Sequence, residues 1–178
     1  YLAEIFDETG RYDTVAAFHN YLKVVNTFEN GVVSELLFTG ALDAETTVNV
    51  ITWLSKAYFK IGRANQALEI NQSGADYLGK SELSVNLRRN RAYLFNYLGR
   101  MAQAEFEYKT ILQEYPIPFE AKNELILKLG SILEHQKKFS EAKQWYQEIK
   151  QTNPVGAMKA AAEARLQVID ALENGGNE

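Results

Sequence analysis

Between Ile126 and Pro154 the chain reads ILKLGSILEHQKKFSEAKQWYQEIKQTNP. Ile126, Leu129, Gly130 and Leu133 fall at the spacing of one helical face, and Ala142, Tyr146 and Ile149 resume it after a polar break at Lys137. Each helix carries a single apolar stripe that it cannot bury alone, and the short break makes the two antiparallel neighbours. The stretch predicts a helical hairpin, closed by Pro154.

The same pattern occurs in ITWLSKAYFKIGRANQALEI from Ile51 and in RRNRAYLFNYLGRMAQAEFEYKTILQEYP from Arg88. The breaks fall at Gly62, Gly99 and Lys137, spaced by 99 − 62 = 37 and 137 − 99 = 38 residues. Such a period, with two helices in each unit, marks a stack of hairpins. A partial fourth copy, LAEIFDETGRYDTVAAFHNYL, breaks at Gly10 and has Val15 where the others have alanine. Glycine suits the break because a helix ends most cheaply on a residue that accepts a left-handed conformation. Ala67, Ala104 and Ala142 each stand five residues beyond a break, where a small side chain lets two helices cross closely. Their expected partners are Tyr58 and Leu54, Phe95 and Ala92, and Leu133 and Gly130. Tyr108 and Tyr146 follow four residues later on the same helical face.

Composition agrees with an all-α chain. Its 178 residues suffice for one domain with a substantial core, 46 % of them are apolar and 24 % charged, and only three are proline. Cysteine is absent, which excludes a disulfide framework and thiolate chemistry. A net charge of −4 argues against a nucleic-acid binder that works by phosphate neutralisation. No window reaches the ~18 apolar residues of a membrane span. The chain opens on Tyr1 within a helical pattern and so reads as a fragment.

The joint spacing of Ile126, Leu129-Gly130, Leu133, Phe139, Ala142, Tyr146, Ile149 and Pro154 resembles the tetratricopeptide repeat, and the resemblance covers residues 1–27 and 48–154. The chain departs from the family pattern at Arg88 and Arg91, where large apolar residues are usual, and at Asn71, where an aromatic is usual. Its units are also three or four residues longer than the family's ~34. Longer units ending in EYP look like those of bacterial cell-envelope tetratricopeptide proteins, including outer-membrane assembly lipoproteins, which would imply the periplasm or envelope. The resemblance implies a right-handed α-solenoid that acts as a scaffold for a protein or peptide partner. Two other roles are compatible with it: a peptide- or small-ligand-sensing domain of a larger regulator, and an accessory subunit of an envelope assembly complex.

The expected organisation is a single solenoid over residues 1–174, with units at 1–27, 48–79, 85–116 and 123–154 and a frayed tail at 174–178. The segment 28–43 is extra to the period, and its cluster Val32, Val33, Leu36, Leu37 and Phe38 predicts a short helix or ordered loop that either packs on its own solenoid or forms part of a contact with another chain. Residues 155–173 read as a capping helix, with Met158, Ala161, Ala162, Arg165, Leu166, Ile169 and Leu172 at helical spacing.

Enzymatic constellations are missing from the sequence. His19 and His135 lie in different units with no neighbour at metal-ligand spacing, and no phosphate-binding glycine loop or G-x-S-x-G occurs. No catalytic residue, cofactor or metal site is expected. The resemblance does imply a binding surface, since the first helices of stacked hairpins line the concave side. Removing the packing positions leaves Asn49, Trp53, Lys56 and Lys60 in one unit, Asn86, Arg89, Asn90, Tyr93, Asn96 and Tyr97 in the next, and Lys128 and Glu134 in the last. Asparagine can bond a ligand backbone and tyrosine supplies contact area at little entropic cost, so this mixture suits an extended or helical polypeptide. Of the arginines at 88, 89 and 91, only Arg89 belongs to the inward row.

Overall fold

A computed structural model of the chain describes residues 14–31, 36–152 and 156–175. Among these residues there is no strand and there are eight helices: α1 (Thr14–Glu29), α2 (Ala44–Lys60), α3 (Ala64–Leu78), α4 (Glu82–Tyr97), α5 (Met101–Glu114), α6 (Phe119–His135), α7 (Phe139–Thr152) and α8 (Ala157–Gly175). The chain is an all-α helical repeat protein. The break at Gly10, the residues Val32 and Val33, and Pro154 lie outside the described residues. Contacts divide the chain within α4 into two compact units, Tyr1–Leu94 and Phe95–Glu178.

Helices α2, α4, α6 and α8 begin at residues 44, 82, 119 and 157, spacings of 38, 37 and 38. The C-terminal helix therefore stands where the first helix of another hairpin would begin. Between paired helices the chain reverses through one residue in the left-handed region: Gly62 at φ 82°, Gly99 at φ 71° and Lys137 at φ 59°. The residue after it donates back to the helix, Arg63 N–H to the Tyr58 carbonyl, Arg100 N–H to Phe95 and Lys138 N–H to Leu133, each at 2.8 Å. These are the six-to-one bonds of the Schellman motif, made three times with one geometry. At Lys137 the motif holds without glycine, because its carbonyl acceptors and the following helix fix the conformation.

In the first unit, α2 packs on α1 and α3 around Val25, Ile51, Leu54, Tyr58 and Leu68. Ala67 is completely buried at the start of α3, as a close helix crossing requires. Asn71 occupies the place that Tyr108 and Tyr146 hold later in the chain, and it is buried too; its amide donates to Ser55 Oγ at 2.5 Å and to the Ala67 carbonyl at 2.7 Å. A polar pair thus replaces an aromatic ring against a small residue. At Gly74 a Cβ would collide with Ile51 Cδ1 and come within 2.7 Å of Leu87 Cδ1, so glycine is what admits side chains from both α2 and α4. The extra segment folds onto this unit at its C-terminal end: Leu37 is buried, and the Phe38 and Tyr77 rings lie 5.6 Å apart and tilted by 57°. Leu36 remains exposed.

In the second unit α5 packs on α6, α6 on α7, and α8 on α7 and α6. Ile111, Leu125, Leu129, Leu133 and Ile149 are fully buried. Gly130 is covered by the ring of Tyr146, whose Cζ and Cε1 occupy the position a Cβ would take. Glu105, also buried, accepts from Lys109 and Lys138 at 2.7 Å each, and Lys109 reaches Glu141 as well. Burial alone would raise the Glu105 carboxyl, but bonds from Lys109, Lys138 and Gln136 outweigh it and hold the group below its ordinary value.

Two outcomes follow from this packing. Gly130→Ala gains helix propensity but drives a methyl into the Tyr146 ring, and the overpacking dominates; thermal or denaturant melts are expected to show a net loss of about 1–3 kcal/mol. For Glu105 the folded-state value is depressed, so its contribution is present above the unfolded value of about 4.3 and lost as pH falls through the folded value. Melting temperatures of the native chain and Glu105→Gln should therefore differ near neutral pH and converge as pH drops below about 4; a gap independent of pH would contradict this.

Candidate binding surface

The Asn90 amide lies 3.5 Å from Thr52 Oγ1, and with the shared contact of Ile51 and Leu87 at Gly74 it sets α2 beside α4. The buried row Ile51, Leu54 and Tyr58 fixes the rotation of α2 and turns Asn49, Lys56 and Lys60 to solvent. Trp53 is half-buried, and its ring carries the Lys56 ammonium 4.9 Å above the centroid. That arrangement favours the cation through the ring's negative face. On α4, Asn86 and Tyr93 are exposed, Tyr93 by 57 %, whereas Arg89 and Asn90 are half-buried. Eight of the expected residues thus lie along two adjacent first helices of the first unit. Arg88 points elsewhere: its guanidinium lies 3.9 Å from Asp76 on α3, with a side chain only 13 % exposed.

In the second unit Asn96 and Tyr97 are exposed at the end of α4, and Lys128 is exposed with Glu124 3.7 Å away on the same helix. Glu134 corrects the sequence reading. It does not face solvent as an inner-row residue; it is buried, accepts from the Tyr146 hydroxyl at 2.6 Å, and is held in a two-pronged ion pair by Arg165 of α8 through Nε, at 2.9 Å, and Nη2. A carboxylate in the last turn of α6 opposes the helix dipole, and the guanidinium compensates that charge. Burial, followed by the bond to Glu134, pushes the Tyr146 hydroxyl well above the ordinary tyrosine range. The sequence signal for this partner was Arg165 itself, a cation within an apolar helical stripe.

The rest of α8 is held by a small apolar contact and by charge. Ala162 and Ile169 are fully buried, Ala161, Arg165 and Leu166 partly, while Met158 and Leu172 are exposed, so the capping stripe is narrower than its spacing suggests. Lys143 of α7 bonds Asp170 at 2.6 Å and Glu173 at 2.5 Å, and Lys150 lies 3.6 Å from Glu163.

Among the described residues no group of three or more histidine, aspartate or glutamate side chains converges as a metal site would require. His135 is exposed, with Nδ1 2.7 Å from the Ser131 carbonyl, and His19 is exposed on α1. No helix among the described residues is long and apolar enough to cross a membrane.

The tetratricopeptide repeat model matches residues 124–155, which comprise most of α6 and all of α7. No curated protein matches the chain. Tetratricopeptide repeats generally mediate protein–protein interaction. With its left-handed reversal at Lys137, its close Gly130–Tyr146 crossing and its buried Ala142, the α6–α7 hairpin is the tetratricopeptide repeat that the family model matches.

Proposed function

We propose that the chain is a non-enzymatic interaction module and that the α2–α4 face of its first unit binds a polypeptide. The observation that carries this reading is the exposure of Tyr93 beside the Lys56–Trp53 stack and the asparagines at 49, 86 and 90. Aromatic rings offer apolar area with few rotamers to freeze, and they concentrate binding energy when a partner excludes water from them. Asparagine side chains carry both a donor and an acceptor, so they can satisfy the peptide groups of an extended ligand whatever its side chains. Both kinds of residue stand on helices rather than loops, and little ordering is needed on binding.

The test is selection from a random library of about twelve-residue peptides on the intact chain, followed by affinity measurement on variants. Replacing Trp53 and Tyr93 together by alanine is expected to weaken the selected peptides by about 2 kcal/mol or more, roughly thirty-fold. Phe106→Ala, which removes an exposed ring on α5, should leave them unchanged. Peptides that respond to Phe106 and ignore Trp53 and Tyr93 would move the binding surface to another helix.

A further inference from the structure

Helix α8 is joined to its unit differently from the helices before it. On α6, Leu125, Ile126, Leu129, Ile132 and Leu133 are buried, whereas on α8 only Ala162 and Ile169 are, among the described residues. Most of what crosses from α8 to its neighbours is charge. Glu163 faces Lys150, Asp170 and Glu173 share Lys143, and Arg165 grips Glu134, so every charged residue of α8 except Lys159 is paired with α6 or α7. Two of these carboxylates are badly placed for their own helices: Glu173 lies in the last turn of α8, which has no base there, and Glu134 in the last turn of α6. Each opposes its helix dipole until the neighbouring helix supplies a cation. The charges therefore serve docking and not the helices that carry them. Helix α8 needs little support as a helix, since six of its 19 residues are alanine, at 157, 160, 161, 162, 164 and 171.

We infer that α8 is a releasable strap: ion pairs dock it across the α6–α7 hairpin, and it lifts off as a unit, under the control of ionic strength, while that hairpin stays folded. The device belongs to the second unit and does not depend on the reading of the α2–α4 face. Exposed ion pairs contribute little each and weaken with salt, and an element with few buried apolar contacts opens before the rest of its domain. The pairs at Lys143 and Lys150 are of this kind, with the Asp170 side chain 59 % exposed. Arg165 has another part. Its partner Glu134 is buried and also accepts from the Tyr146 hydroxyl, so this pair fixes where α8 docks while the exposed pairs set how firmly. Release uncovers a face that receives a helix at the spacing of the repeat, because α8 begins 38 residues after α6.

Hydrogen–deuterium exchange on the intact chain, read by mass spectrometry at about 50 mM and about 500 mM salt, tests the strap. At the lower salt the α8 amides at 161–172 should be protected, yet exchange at least ten-fold faster than those at 142–149 of α7. At the higher salt that ratio should widen several-fold, with α6 and α7 unchanged. Lys143→Gln should speed α8 at low salt and reduce its response to salt, whereas Ile169→Ala should speed it at both salts and keep the response. Lys122→Gln, which removes the α6–α7 pair with Glu148, should leave α8 as it is. Thermal melts confirm that each variant is folded. Equal exchange of α8 and α7 at both salts overturns the inference, because the unit then opens only as a whole. Faster exchange of α8 that ignores both salt and Lys143→Gln also overturns it, since apolar contact alone would then hold the helix; so does an α8 without protection at low salt.

Discussion

At Gly62, Gly99 and Lys137 one residue with φ between 59° and 82° lets the next amide bond back to the carbonyl five residues earlier. The geometry of the chain depends on that bond. It ends the first helix at a fixed residue and starts the second close beside it, so Ala67, Ala104 and Ala142 arrive at buried positions five residues on. Close approach then selects the residues opposite. Gly130 lies under the Tyr146 ring, and where the sequence has Asn71 in place of the ring, Ser55 meets its amide with a hydrogen bond. Burying an amide without such a partner would be costly, and Ser55 with the Ala67 carbonyl satisfies the Asn71 NH2 group.

Fixing the rotation of the first helices also fixes what they leave outside. With Ile51, Leu54 and Tyr58 turned inward on α2, and Leu87 and Leu94 inward on α4, the residues Asn49, Lys56, Lys60, Asn86 and Tyr93 are left at the exposed positions of the two helices. Packing thus presents the α2–α4 row without any residue dedicated to shaping it. The acids of α3 lie on the other side of this unit, where Asp76 draws Arg88 away from the row. The second unit uses its charges differently: Glu105, Glu134 and Lys143 join neighbouring helices, and their bonds are with other side chains of the same unit.

Much of this was legible in the sequence because the period is local. The breaks at Gly62, Gly99 and Lys137, the alanines beyond them and the exposed positions 49, 56, 60, 86 and 93 follow from spacing alone. Helix starts were harder to read. The first turns of α2, α4 and α6 begin three or four residues before the apolar pattern does, and only a cap such as Asp43, which bonds the Thr46 amide and hydroxyl, marks the place. Glu134 was misread for a different reason. Helical spacing reports which residues share a face but says nothing of a partner 31 residues away, and Arg165 turns an apparent surface carboxylate into a buried one. The narrow contact face of α8 escaped for the same reason, since ion pairs with α7 hold what apolar spacing seemed to explain.

Hydroxyl-radical footprinting of the intact chain, alone and saturated with a selected peptide, tests the binding surface most directly, because exposed aromatic rings on different helices report separately. Protection is expected at Trp53 and Tyr93, with Tyr77 on α3 and Phe106 on α5 oxidised as before. Protection of Tyr77 or Phe106 with Trp53 and Tyr93 unchanged would contradict the assignment of the surface to α2 and α4.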